Sequence, residues 1–156
     1  MSDNIKHECG IAMLRLRKPM EYYIEKYGTW SYGLQKMYLM MEKQHNRGQD
    51  GAGIAGIKLD VQPGNRYIFR QRSNQPNPIK EIFGFIYEDI DALTRLHPEG
   101  FKNPGFIKEN VPFACDIYLG HLRYGTYGSY NIDYVHPVSR ENNGDQKILL
   151  WPVIST

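Results

Sequence analysis

Residues 45–56 read His45-Asn46-Arg47-Gly48-Gln49-Asp50-Gly51-Ala52-Gly53-Ile54-Ala55-Gly56, and the use of their glycines decides the fold. Gly51, Gly53 and Gly56 satisfy the G-x-G-x-x-G spacing of a dinucleotide-binding turn. That turn works only when a strand enters it and a helix leaves it, so that the helix N-terminus meets pyrophosphate. Here the order is reversed. Upstream, Leu34, Met37, Tyr38 and Met41 fall at i, i+3, i+4 and i+7, one apolar face of a helix over residues 32–44. Downstream, residues 53–59 read as a strand. Residues 71–77, about 20 positions on, carry no acidic side chain for a ribose. The glycines are therefore expected to admit close packing, or passage of backbone near a site.

Outward from this stretch, residues 9–16, 67–70 and 113–119 also read as strands. A reversal around Pro63-Gly64-Asn65 joins 53–59 to 67–70. Residues 73–77 read as a loop. Ile79, Ile82, Phe83 and Ile86, continued by Ile90 and Leu93, mark a second helical face, with Pro78 in its first turn. Pro98, Gly100, Pro104 and Gly105 predict a loop over residues 97–110. Residues 21–30 are mixed and aromatic and give no assignment. Strands and helices do not alternate strictly, so nothing demands a parallel sheet. There is no internal repeat and no low-complexity segment.

A chain of 156 residues is long enough for one domain with a real core. A net charge of +2 is too small to point to nucleic acid or to a charged membrane surface. No apolar run approaches the roughly 20 residues that span a bilayer, and residues 1–8 hold no apolar signal core. Two cysteines without framework spacing fit a reducing compartment, so a cytoplasmic location is expected. The twelve tyrosines carry no functional weight, because tyrosine is also a common half-buried strand residue.

Cys115, inside Phe113-Ala114-Cys115-Asp116-Ile117, reads as a core cysteine. Cys9 differs, because it follows a polar leader and precedes Gly10, which lets another group approach. Removal of residues 1–8 would give Cys9 a free α-amine, whose reference pKa of roughly 7.7–8.0 suits proton transfer near neutrality. An N-terminal nucleophile can use that amine as its general base. Taken alone, Cys9 is better read as a buried strand cysteine. Arg47, beside Gly48, and Arg123, between Gly120 and Gly125, offer planar guanidinium forks that match a carboxylate. Pinning a loop to a backbone carbonyl is an equally good use of each. His7, His45, His97, His121 and His136 show no paired zinc-ligand spacing. His45 and His121 read as loop or strand-end residues with local hydrogen-bond partners.

Three stretches occur in order: Cys9-Gly10-Ile11, then His45 to Ile54, then Gly120-His121-Leu122-Arg123-Tyr124-Gly125-Thr126. Together they resemble the glutaminase domain of the amidophosphoribosyltransferase family, a class II glutamine amidotransferase. The resemblance implies an α+β fold, the Ntn-hydrolase four-layer αββα sandwich, here incomplete at its C-terminal side. It implies a propeptide-like leader at 1–8, a partial glutaminase domain at 9–143 and a divergent tail at 144–156. By the same resemblance Cys9 is the nucleophile that attacks the glutamine carboxamide, Arg123 clamps the substrate α-carboxylate with Thr126 beside it, and Arg47 supports the nucleophile's surroundings. The ammonia would pass to a phosphoribosyltransferase domain, normally on the same chain, for use on phosphoribosyl pyrophosphate in the first step of purine synthesis. No metal or cofactor is implied within these residues; full-length relatives use Mg, some carry an iron–sulfur cluster, and the full-length form can be oligomeric.

The family pattern also includes an Asn-Gly type turn that supplies the oxyanion hole, and an acidic residue for the substrate amine. Neither is recognisable in this sequence, and lack of an oxyanion hole lowers hydrolysis by about two to three orders of magnitude. A catalytically inactive glutamine-binding relative, or another class II enzyme such as a glutamate synthase glutaminase domain, are the alternatives. After Asn143 the sequence leaves the family pattern in the way a single lost base would produce, so 144–156 is expected to be an out-of-frame translation. Sequencing the gene around codon 144 checks this: a second reading frame that restores the pattern is the expected result, and an intact frame ending at Thr156 contradicts it.

Overall fold

Alternation along the first strand sets the layering. In β1 (Gly10–Arg15), Gly10 and Ala12 are buried, whereas Ile11 and Met13 are more than half exposed. Successive strand residues point to opposite sides, so one face of β1 is covered and the other is open. The computed structural model describes residues 9–125, 131–142 and 145–149. Within them β1 pairs with β4 (Ile117–Leu122), β4 with β2 (Ala52–Ile57), and β2 with β3 (Ile68–Ser73), every pairing antiparallel. The sheet order is β1-β4-β2-β3, and a separate hairpin joins β5 (Val138–Asn142) to β6 (Asp145–Leu149).

The covered face carries the two helices whose periodicity is legible in the sequence. Helix α2 (Tyr32–Lys43) buries Leu34, Met37 and Met41. Helix α3 (Pro78–Leu96) buries Ile79, Ile82, Phe83, Ile86 and Ile90. These side chains form one cluster with Ala12, Ile54, Phe69, Tyr118 and Leu122 of the sheet. Each such side chain contributes roughly 1.5–3 kcal/mol on leaving water, so this single seam is the main source of stability. Among the described residues the fold is thus a mixed α/β arrangement of a four-stranded antiparallel sheet and four α-helices, with the separate hairpin. Among the described residues no helix is long and apolar enough to cross a membrane.

Several elements differ from expectation, each for a local reason. Residues 21–30, left unassigned, begin with helix α1 (Met20–Tyr27), which ends at Gly28 with φ 73 and the Gly28 N–H donating to Ile24 O at 2.9 Å. Its buried contact is aromatic rather than aliphatic: Tyr23 lies near Tyr27 and Tyr32, with ring centroids 6.2 and 5.3 Å away. The predicted loop over 97–110 contains helix α4 (Pro104–Asn110). The Asn103 side chain caps it by accepting the N–H groups of Gly105 and Phe106 at 2.8 and 3.2 Å, and Pro104 occupies the first turn. Strand β3 runs through Ser73 rather than stopping at Arg70, because its polar residues lie on an edge strand of the sheet. Strand β4 begins at Ile117, not Phe113. The buried Tyr118 hydroxyl donates to Phe113 O at 2.7 Å and accepts the Cys115 N–H at 3.1 Å, which holds the preceding residues in a turn.

The glycine reading of residues 51–56 agrees with the packing. Gly53 lies inside β2, and a Cβ there would stand 1.9 Å from the His136 carbonyl oxygen. The strand can lie under a crossing segment only because it lacks a side chain at that point.

At the end of the sheet that holds Cys115, Lys58 follows β2 and is only 2% exposed. Its Nζ donates to Glu109 O at 3.3 Å and lies 4.7 Å from the Phe69 ring centroid. Burial pulls this amine from 10.5 down to about 8, against the opposing pull of Cys115, while Lys108 lowers it further and Asp116 and Glu109 raise it. Between pH 8 and 10.5 the unfolded lysine binds a proton that the folded one does not, so the contribution of Lys58 to stability rises with pH across that window, opposed above pH 9 by the buried Cys115 thiol. In urea unfolding from pH 7.5 to 10.5 the stability of the unsubstituted chain is expected to rise relative to that of Lys58→Met by on the order of 1–3 kcal/mol. Equal slopes in the two proteins would contradict it.

Candidate active site

The register of β1 on β4 assembles the site. Gly10 pairs with Leu122, and the same register continued by one residue sets Cys9 beside Arg123. Cys9 is exposed. Its Sγ accepts the Tyr124 N–H at 3.5 Å and lies 4.0 Å from Tyr124 O.

The stretch 45–51 reaches the same place from the other side of β4. After α2 the chain makes a short 3-10 turn at His45–Arg47, then Gly48 adopts an extended conformation. A Cβ on Gly48 would sit 2.6 Å from the Leu122 carbonyl carbon and 2.8 Å from that of Arg123, so only glycine allows this approach. The Asp50 N–H donates to Arg123 O at 3.0 Å, and the Arg123 N–H donates to Gly51 O at 2.7 Å. The Asp50 carboxylate then accepts the Gly125 N–H at 2.8 Å. Three hydrogen bonds thus tie the loop to residues 123–125 beside Cys9.

The residues selected from sequence are not all placed alike. Arg123 lies at the site and is only 6% exposed, its guanidinium carbon 5.4 Å from the centroid of the Tyr134 ring. Arg47 is exposed on the 3-10 turn, and the contacts that bring its loop to Cys9 run through Gly48, Asp50 and Gly51. Thr126 lies outside the described residues, as do the leader 1–8 and, of the tail, residues 144 and 150–156. Cys115 is buried as expected, and burial pushes its thiol up to about 12, which keeps it unreactive.

His121 departs from expectation. It is 7% exposed, and its Nδ1 has no hydrogen-bond partner among the described residues. Its ring meets that of His136 edge to face, centroids 5.3 Å apart at 72°. Burial, then His136 and Arg123, pull its pKa from 6.5 down to about 4, so it is neutral at physiological pH. Asp50, His121, Tyr134 and His136 were not selected from the sequence as site residues. Asp50 alone had a local signal, an acid between Gly48 and Gly51; the others arrive through long-range packing. Among the described residues no three His, Cys, Asp or Glu side chains are grouped to hold a metal.

Compared with protein-family models, with curated proteins and with solved structures, the chain matches none. The chemistry of the site is therefore argued from its own geometry: an exposed thiol beside a backbone donor, a buried arginine on the residue opposite it in the strand register, and a carboxylate that fixes the loop beside them.

Because His121 is depressed in the fold, the unfolded chain binds a proton that the native chain does not between pH 4 and 6.5. Its contribution is present above pH 6.5 and is lost as pH falls towards 4. Acid unfolding is expected to show a loss on the order of 2–3 kcal/mol over this interval, reduced in His121→Gln. Parallel acid profiles for the two proteins would rule out His121 as its source.

Proposed function

We propose that this protein is a glutaminase of the class II amidotransferase type, with Cys9 as nucleophile and Arg123 as the clamp for the substrate carboxylate. The observation that carries the reading is the convergence of three separated stretches, 9–10, 48–51 and 122–125, on one end of the sheet. These are the same stretches that carry the resemblance to the amidophosphoribosyltransferase glutaminase domain. The open sheet face, with Ile11 and Met13 exposed opposite the helical layer, further supports the four-layer αββα sandwich, in which a second sheet covers that face.

The reaction follows from the groups available. Cleavage between Glu8 and Cys9 frees the α-amine, which takes the thiol proton. The thiolate attacks the side-chain carboxamide carbon of glutamine, and the charged oxygen that forms needs N–H donors. The C–N bond breaks as the ammonium form of the amine returns its proton to the leaving nitrogen, releasing ammonia. A γ-glutamyl thioester remains on Cys9. Water then attacks the thioester, giving glutamate and the free thiol. Arg123 is suited to hold the α-carboxylate throughout, because a buried guanidinium fork binds a carboxylate bidentately and is less hydrated than an ammonium. In the full reading the ammonia is used on phosphoribosyl pyrophosphate by a partner domain, in a cytoplasmic enzyme of purine synthesis.

Ammonia release from glutamine by the mature chain, with its N-terminus at Cys9, is the test. Cys9→Ala is expected to abolish release, and Arg123→Ala to raise the half-saturating glutamine concentration by about 10–100-fold, the worth of a charged hydrogen-bonded pair. Ammonia release that survives Cys9→Ala would refute the mechanism. Glutamine protection of Cys9 from alkylation without any ammonia would instead identify a glutamine-binding relative, the outcome favoured by the unrecognised oxyanion turn.

A further inference from the structure

Residues 131–137 cross the open face of the sheet, and the reaction above makes no use of them. Their anchoring is unusually complete for a connection. Nη1 of Arg72, on β3, donates to both Ile132 O at 3.1 Å and Val135 O at 2.9 Å, bracing both ends of a 3-10 turn at Ile132–Tyr134. Asn131 caps the turn: its Oδ1 accepts the Asp133 N–H at 3.1 Å, and its Nδ2 donates to the Asp133 carboxylate at 3.0 Å. Val135 and Pro137 are fully buried, and the His136 carbonyl rests over Gly53.

The exposed product of this anchoring is Tyr134, 55% accessible, whose ring lies over the Arg123 guanidinium at 5.4 Å. Arg123, by contrast, is almost wholly covered. A guanidinium that lies over a ring is limited by it in the orientations it can take, and its N–H groups are the part that meets an acceptor. An arginine side chain on its own samples many rotamers, and a ligand that must order it loses affinity.

From this geometry we infer that Tyr134, held by the Arg72-braced strap, is a positioning residue that restricts the orientation of Arg123 for one amino-acid carboxylate. The inference rests on the reading of Arg123 as the carboxylate clamp. Tyr134 itself takes no part in bond making; it acts through Arg123. Its effect therefore falls on the concentration of glutamine needed, not on the reactivity of Cys9 once glutamine is bound.

The experiment uses the mature chain, with its N-terminus at Cys9, carrying Tyr134→Ala, Tyr134→Phe or Arg72→Met. Two quantities are read: the rate at which phenylglyoxal modifies Arg123, located by peptide mass, and the glutamine concentration that half-protects Cys9 from alkylation. Tyr134→Ala is expected to raise both about tenfold, with the alkylation rate in the absence of glutamine unchanged. Arg72→Met should shift both in the same direction, and Tyr134→Phe should match the unsubstituted chain. Phenylglyoxal rates within twofold of each other would overturn the inference. Faster modification of Arg123 without a shift in half-protection would overturn it too, reducing Tyr134 to a cover. If glutamine leaves Cys9 of the unsubstituted chain unprotected, the glutaminase reading fails and this inference with it; protection of the unsubstituted chain that Tyr134→Ala leaves unshifted overturns the inference alone.

Discussion

The antiparallel register of β1, β4 and β2 is the constraint on which the rest of the molecule depends. Leu122 pairs with Gly10 on one side and with Ala52 on the other, so the ends of three strands are brought level. Side chains alternate with period two, and a slip of one residue in β1 would turn its outward set to the helices and its inward set to the open face. Such a slip would expose Ala12 and press Ile11 and Met13 onto α2. The hydrophobic seam of α2 and α3 therefore fixes the position of Cys9 indirectly, by admitting only one register.

Once the register is set, the candidate site is built mostly from backbone. The Tyr124 N–H meets the Cys9 sulfur, the Gly125 N–H meets Asp50, and Arg123 exchanges hydrogen bonds with Asp50 and Gly51. Glycine at 48 is what lets the loop come close enough for this. The two cysteines occupy opposite environments. Cys115 sits at the opposite end of the sheet, where burial raises its thiol to about 12 beside the buried Lys58 amine. Cys9 is exposed and next to a donor. A nucleophile needs the second environment.

The parts of this structure legible in the sequence are those encoded by local periodicity. Leu34, Met37 and Met41, and Ile79, Ile82, Phe83 and Ile86, announce α2 and α3 because each helix buries a continuous apolar stripe. Helix α1 was obscure because its buried contacts are tyrosine rings, which suit strands equally well, and α4 because its Pro104 and Gly105 look like loop residues until Asn103 is recognised as a cap. The start of β4 depends on a hydroxyl, Tyr118, closing a turn over Phe113, which no pattern of polarity reveals. At the site, Cys9 and Arg123 stand out through their glycine neighbours. The strap that lays Tyr134 on Arg123 does not, since Arg72 is 60 residues from Ile132 in sequence and only the fold brings them together.

The most direct measurement is intact and peptide mass spectrometry of the mature chain, acid-quenched within its first turnovers with glutamine. A γ-glutamyl thioester on Cys9, absent from Cys9→Ala and depleted in Arg123→Ala at the same glutamine concentration, is the result the assembled site predicts. A mature chain that never carries glutamyl on Cys9, at any quench time or glutamine concentration, would contradict it.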